Sequence, residues 1–130
     1  MLKKLQNKKG FTLMEMLIVV AIIAVLVAIA IPVFNGSLHK AKVAADEANV
    51  RAYYAELQID YLTTGEFRED VGTQVGDMRT EINFLDGTTV NLQDGHLTVI
   101  LDRDWYGTKE PIGYQLYYMC NKGDHTLLLK

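Results

Sequence analysis

The chain has 130 residues, a formal net charge of −3 and a single cysteine, Cys120. Four of its thirteen lysines and arginines (Lys3, Lys4, Lys8, Lys9) stand in the first ten residues, and the other nine face sixteen acids, so a generic basic surface for nucleic acid is not indicated. One cysteine excludes a disulfide within the chain, and the stretch beyond Phe34 has room for one small domain with a modest core and not for a second.

From Phe11 to Phe34 the sequence is apolar except for Glu15 and two small polar or helix-perturbing residues, Thr12 and Pro32. As a helix at about 1.5 Å per residue it reaches roughly 36 Å, enough for the ~30 Å hydrocarbon core of a bilayer. Basic residues flank only its N-terminal side, so the positive-inside rule puts Met1 in the cytoplasm and everything after Phe34 outside. One reading is a plain signal anchor that tolerates Glu15 near the headgroups. Another is a secretory signal peptide cut after Ala28-Ile29-Ala30, but an h-region of about 7–15 residues is shorter than this run.

A third reading is more specific. Gly10-Phe11-Thr12-Leu13-Met14-Glu15, behind a basic leader and ahead of the apolar run, resembles the class III signal of type IV prepilins and pseudopilins. The resemblance implies a cut by prepilin peptidase between Gly10 and Phe11, N-methylation of Phe11, and Glu15 as the fifth mature residue. Pro32 falls where these proteins commonly carry proline; Ala24 departs, since many members have glycine there. Chemistry gives the match separate support. An ionisable residue in a membrane usually marks function and seeks a partner. An unpaired carboxylate among Leu, Ile and Val costs several kcal/mol, which the new ammonium of Phe11 on a neighbouring subunit would offset.

Pro32 removes a backbone donor and Gly36 adds looseness, so a kink is expected there. Asn35-Gly36-Ser37, formally a glycosylation sequon, reads as structural at such a joint. Helix then resumes from Leu38, because no glycine or proline intervenes before Gly65. Leu38, Ala41, Ala45, Ala48, Ala52, Ala55, Ile59 and Leu62 form a seam of mostly small side chains in three- and four-residue steps. Val43, Val50, Tyr54, Leu57 and Tyr61 fall about 200–240° away. Lys42, Asp46, Asn49, Glu56 and Asp60 lie between. A helix apolar on two sides needs two partners: the larger face is expected to meet this chain's own sheet, and the alanine seam neighbouring helices in an assembly. The competing account is a buried helix with scattered alanines.

Gly65 is a helix stop. Thr64-Gly65-Glu66-Phe67 is similar to the segment that ends the long helix in many pilins and major pseudopilins, with Phe67 in the place of tyrosine and Arg68 in that of proline. Residues 65–80 read as a connecting loop with a helical turn near Val75 to Met78. From Glu81 the period becomes two. Ile82 and Phe84, Val90 and Leu92, then Leu97, Val99 and Leu101 make short strands separated by the turn signals Asp86-Gly87 and Asp94-Gly95. After a loop holding Trp105 and Tyr106, Gly113 to Cys120 and His125 to Leu129 add strands around Asn121-Lys122-Gly123-Asp124.

Signals for chemistry are sparse. His39, His96 and His125 lack metal-ligand spacing, Cys120 has no CxxC partner, and no phosphate loop or nucleophile motif occurs, so no enzyme, cofactor or metal site is read. Asp102, Asp104, Glu110 and Asp124 form a loop-acid set without a defensible calcium spacing.

The expected fold is therefore α+β and pilin-like. Residues 1–10 are a prepilin leader, 11–34 a membrane and filament-core helix, 35–64 its amphipathic continuation, 65–80 the loop, and 81–130 an antiparallel sheet of about four strands packed on the second half of the helix. The resemblance implies a homo-oligomeric filament made from a single-pass membrane precursor. Its partners would be prepilin peptidase, an assembly ATPase and an inner-membrane platform protein, with adhesion, surface motility or DNA uptake as the use. A major pseudopilin of type II secretion and a monomeric signal-anchored binding module are the alternatives.

Overall fold

The computed structural model describes residues 10–72, 77–103 and 111–130. The four leader lysines, Asp104, Trp105, Tyr106 and Glu110 lie outside these. The chain divides into two units, Met1–Ser37 and Leu38–Lys130.

Helix α1 runs Leu13–Thr64, with Pro32 inside it. In the first unit every described residue is exposed, including the apolar side chains from Leu13 to Phe34. This part is long and apolar enough to cross a membrane. An apolar surface of that extent has no place in water, and no described residue of its own unit covers it.

The second unit is built on the C-terminal part of α1. His39, Val43, Asp46, Val50, Tyr53 and Leu57 are buried, in steps of four and three that make one stripe of the helix. Val43, Val50 and Leu57 were expected on this face. Asp46 was expected on its polar flank and Tyr53 was not singled out, yet both are buried. Every alanine of the seam is exposed, so the account of a buried helix with scattered alanines does not describe this unit.

Helix α1 ends where glycine permits. Gly65 has φ +77°, and its N–H donates to Tyr61 O at 2.7 Å, the left-handed cap that closes many helices. The next residues fold back on the helix: Phe67 stacks on Tyr61 with ring centroids 4.0 Å apart and meets Tyr114 edge-on. Arg68 donates to both oxygens of Asp60, and Tyr114 Oη accepts from its N–H at 2.8 Å. A 3-10 turn follows at Glu69–Val71. Most of the turn expected near Val75 falls on residues outside the described set; Asp77 and Met78 are not helical.

Among the described residues five strands follow: β1 (Glu81–Asn83), β2 (Thr89–Asn91), β3 (Gly95–Arg103), β4 (Pro111–Cys120) and β5 (Thr126–Leu129). All neighbours are antiparallel, and they form two sheets, β1-β2 and β3-β4-β5. Asp86-Gly87 lies in the first hairpin, but residues 84–88 join β1 to β2, a longer loop than the two-residue turn expected: Gly87 has φ +90° and its N–H donates to Phe84 O at 3.1 Å, and Asp86 Oδ1 accepts from Thr88 N at 2.8 Å. Asp94-Gly95 makes no two-residue hairpin turn. Gly95 opens β3, and a Cβ there would come within 2.4 Å of the Tyr118 ring, so its glycine answers a close approach.

The sheets part between β2 and β3 for a physical reason. The N–H groups of Gln93 and Asp94, which a ladder or turn would have used, donate instead to Asp46 on α1, at 2.6 and 2.8 Å. The edge of β3 is then met by Arg79, which exchanges two backbone hydrogen bonds with Leu97. Leu97 and Val99 of β3 and Tyr114, Leu116, Tyr118 and Cys120 of β4 alternate inward and close the core on the helix.

Candidate assembly site at the helix N-terminus

The residues expected to carry processing and assembly, Gly10, Phe11 and Glu15, lie together at the start of α1 and are exposed, Phe11 by 78%. Thr12 precedes the first helical residue. Its N–H donates to Glu15 Oε2 at 2.7 Å, and its Oγ1 accepts from Glu15 N at 3.2 Å. This reciprocal pair is a capping box, which satisfies two backbone donors that a helix start leaves over. Its sequence signature is Thr-x-x-Glu ahead of an apolar run.

The capping box changes the account of Glu15. The carboxylate is not unpartnered within its own chain, so its position does not by itself require a second subunit. Only amide groups of Thr12 and Glu15 and their side chains take part, so a cut after Gly10 would leave the box intact. Glu15 Oε2 is engaged by Thr12; the carboxylate keeps acceptor capacity for a cation beside it.

Pro32 and Gly36, the expected kink, are exposed residues of the first unit, and a Cβ on Gly36 would meet nothing within 4 Å. In the second unit Ala41, Ala45, Ala48, Ala52 and Ala55 stand along the exposed side of the helix with Ile59 and Leu62.

On the buried side of that unit a polar group has formed that spacing along the chain did not reveal. Asp46 is fully buried and accepts from Gln93 N, Asp94 N and, at 3.0 Å, Tyr118 Oη. Burial, reinforced by that carboxylate, pushes the Tyr118 phenol well above its ordinary value. Asp94, positioned by Asp46, accepts from Asn121 and pairs with His39 Nδ1. The other nitrogen of His39 is 3.2 Å from Asp124, which also takes the Cys120 thiol at 2.9 Å and lies near His125. The thiol, then His39 and His125, lower the Asp124 carboxyl to about 2. Of the loop acids only Asp102 and Asp124 are among the described residues, and these two stand apart: Asp102 sits opposite Gly113 near the start of β4 and accepts from Gln115, while Asp124 follows the end of that strand.

Residues 5–31 match the model of a family described as the prokaryotic N-terminal methylation motif. No solved structure matches the chain. The matched residues comprise most of the leader, the Gly10-Phe11 junction, Glu15 and much of the apolar helix, and the motif implies processing by a prepilin peptidase. The chain thus carries the N-terminal methylation motif, the class III signal typical of type IV pilins and pseudopilins, on a long N-terminal helix followed by antiparallel strands in a pilin-like α+β arrangement.

Proposed function

We propose that the chain is the structural subunit of a type IV pilus, inserted in the cell membrane as a single-pass precursor, cut between Gly10 and Phe11, methylated on Phe11 and polymerised through its N-terminal helix into a surface filament. The observation that carries this reading is the exposed apolar helix of the first unit with Glu15 at its head. In the precursor, lipid covers that surface; in a filament, other copies of the same helix do, and each exchanges one apolar cover for another at little cost. The Phe11 ammonium of one subunit then meets the Glu15 carboxylate of the next and sets the axial step. Ala41, Ala45, Ala48, Ala52 and Ala55 let helices approach closely, and Pro32 and Gly36 give the helix freedom to adjust on leaving the bilayer. An assembly ATPase and a membrane platform protein would drive the extraction.

The test joins chemistry to imaging. Mass spectrometry of the mature chain is expected to find N-methylated Phe11 at its start, and filaments sheared from cells are expected to consist of this protein. Glu15→Val is expected to be cut normally and to form no filaments. A retained leader on a solitary membrane protein overturns the reading; normal filaments from Glu15→Val overturn the pairing. Calcium-dependent stability of the second unit, with loss of protein export in a deletion strain, would assign the chain to a type II secretion pseudopilus instead.

A further inference from the structure

We propose that His39, Asp124 and His125 form a binding site for one divalent transition-metal ion of the zinc type, pinning the β4–β5 turn to helix α1. The three residues come from two elements, and one ligand atom from each lies within 4.8 Å of the others. His39 Nε2 is 3.2 Å from Asp124 Oδ1, and His125 Nε2 is 3.7 Å from Asp124 Oδ2. Ligands at about 2.0–2.2 Å from a tetrahedral ion stand about 3.4 Å apart, so small side-chain rotations complete the set. Two imidazoles and a carboxylate suit zinc, cobalt, nickel or copper better than magnesium or calcium, which prefer all-oxygen sites.

The surroundings are those that a metal-binding histidine needs. His39 is 8% exposed, and its Nδ1 pairs with Asp94. A carboxylate on one ring nitrogen fixes the tautomer and leaves the lone pair of the other for a cation. Asp94 is itself held by the side chain of Asn121, while its backbone N–H is held by Asp46. On the far side, Nε2 faces a second carboxylate. With a proton already on Nδ1, that contact is favourable only if a further proton or a metal ion stands between the two. Cys120 donates to the same Asp124 oxygen, which steadies the carboxylate. Asp124 and His125 are 52% and 41% exposed, and a pocket of about 280 Å³ lined by Lys40, Val43, Ala44, Glu47 and His125 gives solvent a route in. In a chain without an internal disulfide, this ion would join residues 85 positions apart, closing a loop long enough for the clip to matter.

The test uses the full chain in detergent, stripped with a chelator and dialysed against Zn²⁺ or Co²⁺. One ion per chain is expected, with visible cobalt bands of low-symmetry nitrogen and oxygen coordination. His125→Ala and Asp124→Asn are expected to weaken uptake about tenfold or more, while His96→Ala leaves it unchanged. Because these substitutions can alter the turn itself, a second readout needs none of them: Zn²⁺ is expected to shield His125 from diethylpyrocarbonate. No saturable uptake, uptake unaffected by both ligand substitutions, or an unshielded His125 overturns the proposal.

Discussion

Asp46 joins the helix to the β2–β3 connection and to β4. A buried carboxylate is tolerated when its lone pairs are filled, and here two backbone N–H groups and the Tyr118 hydroxyl fill them. Asp46→Ala would strand the buried Tyr118 hydroxyl and two part-buried backbone donors, so a loss of about 2–4 kcal/mol is expected in the unfolding free energy of the second unit, read by urea denaturation of the solubilised chain. Asp46→Asn should recover only part of it, since an amide brings its own donors to a place that offers donors. A cost below about 0.5 kcal/mol for Asp46→Ala would mean that water or the backbone replaces the carboxylate freely. Glu56 does a smaller version of the same work, accepting from Leu85 N at 3.1 Å in the β1–β2 hairpin.

Helix α1 shows two kinds of surface at the level of the element. The buried stripe of His39, Val43, Asp46, Val50, Tyr53 and Leu57 mixes bulky and polar side chains that fit one set of strands. The alanine seam is uniform, exposed and small. Surface substitutions away from special features usually change stability by less than about 0.5 kcal/mol. Ala48→Leu combined with Ala52→Leu is therefore expected to leave thermal unfolding of the second unit nearly unchanged; under the proposed assembly, filament yield is expected to collapse, as measured by electron microscopy of sheared material. Filaments of normal number and length from that variant would remove the seam from the proposed interface.

For the molecule as a whole, stability should fall on the alkaline side. Tyr53, Tyr114 and Tyr118 all have phenols raised above their ordinary value of about 10, in each case chiefly by burial. The folded state therefore keeps protons that the unfolded chain releases above about pH 10. Stability is fully present below that pH and declines as pH climbs further. Thermal melts between pH 8 and 11, read by circular dichroism, are expected to show a flat region and then a fall, with a shallower fall in Tyr118→Phe. A melting temperature that rises across this range would contradict the burial of the three phenols.

Local chemistry was legible because it needs only neighbours. The apolar run, the basic leader before Gly10-Phe11, the helix stop at Gly65 and the period-two strands from Glu81 are each set by residues within a few positions of one another. The Thr12–Glu15 cap was equally local. What the tertiary structure decided concerns groups far apart in the chain: which acid beside the helix face is buried, that Gly95 opens a strand against the Tyr118 ring, that the strands part into two sheets, and that His39 meets Asp124 and His125. Each depends on a donor or a gap supplied from tens of residues away. Periodicity says which side of an element is apolar; only the folded chain says what stands opposite it.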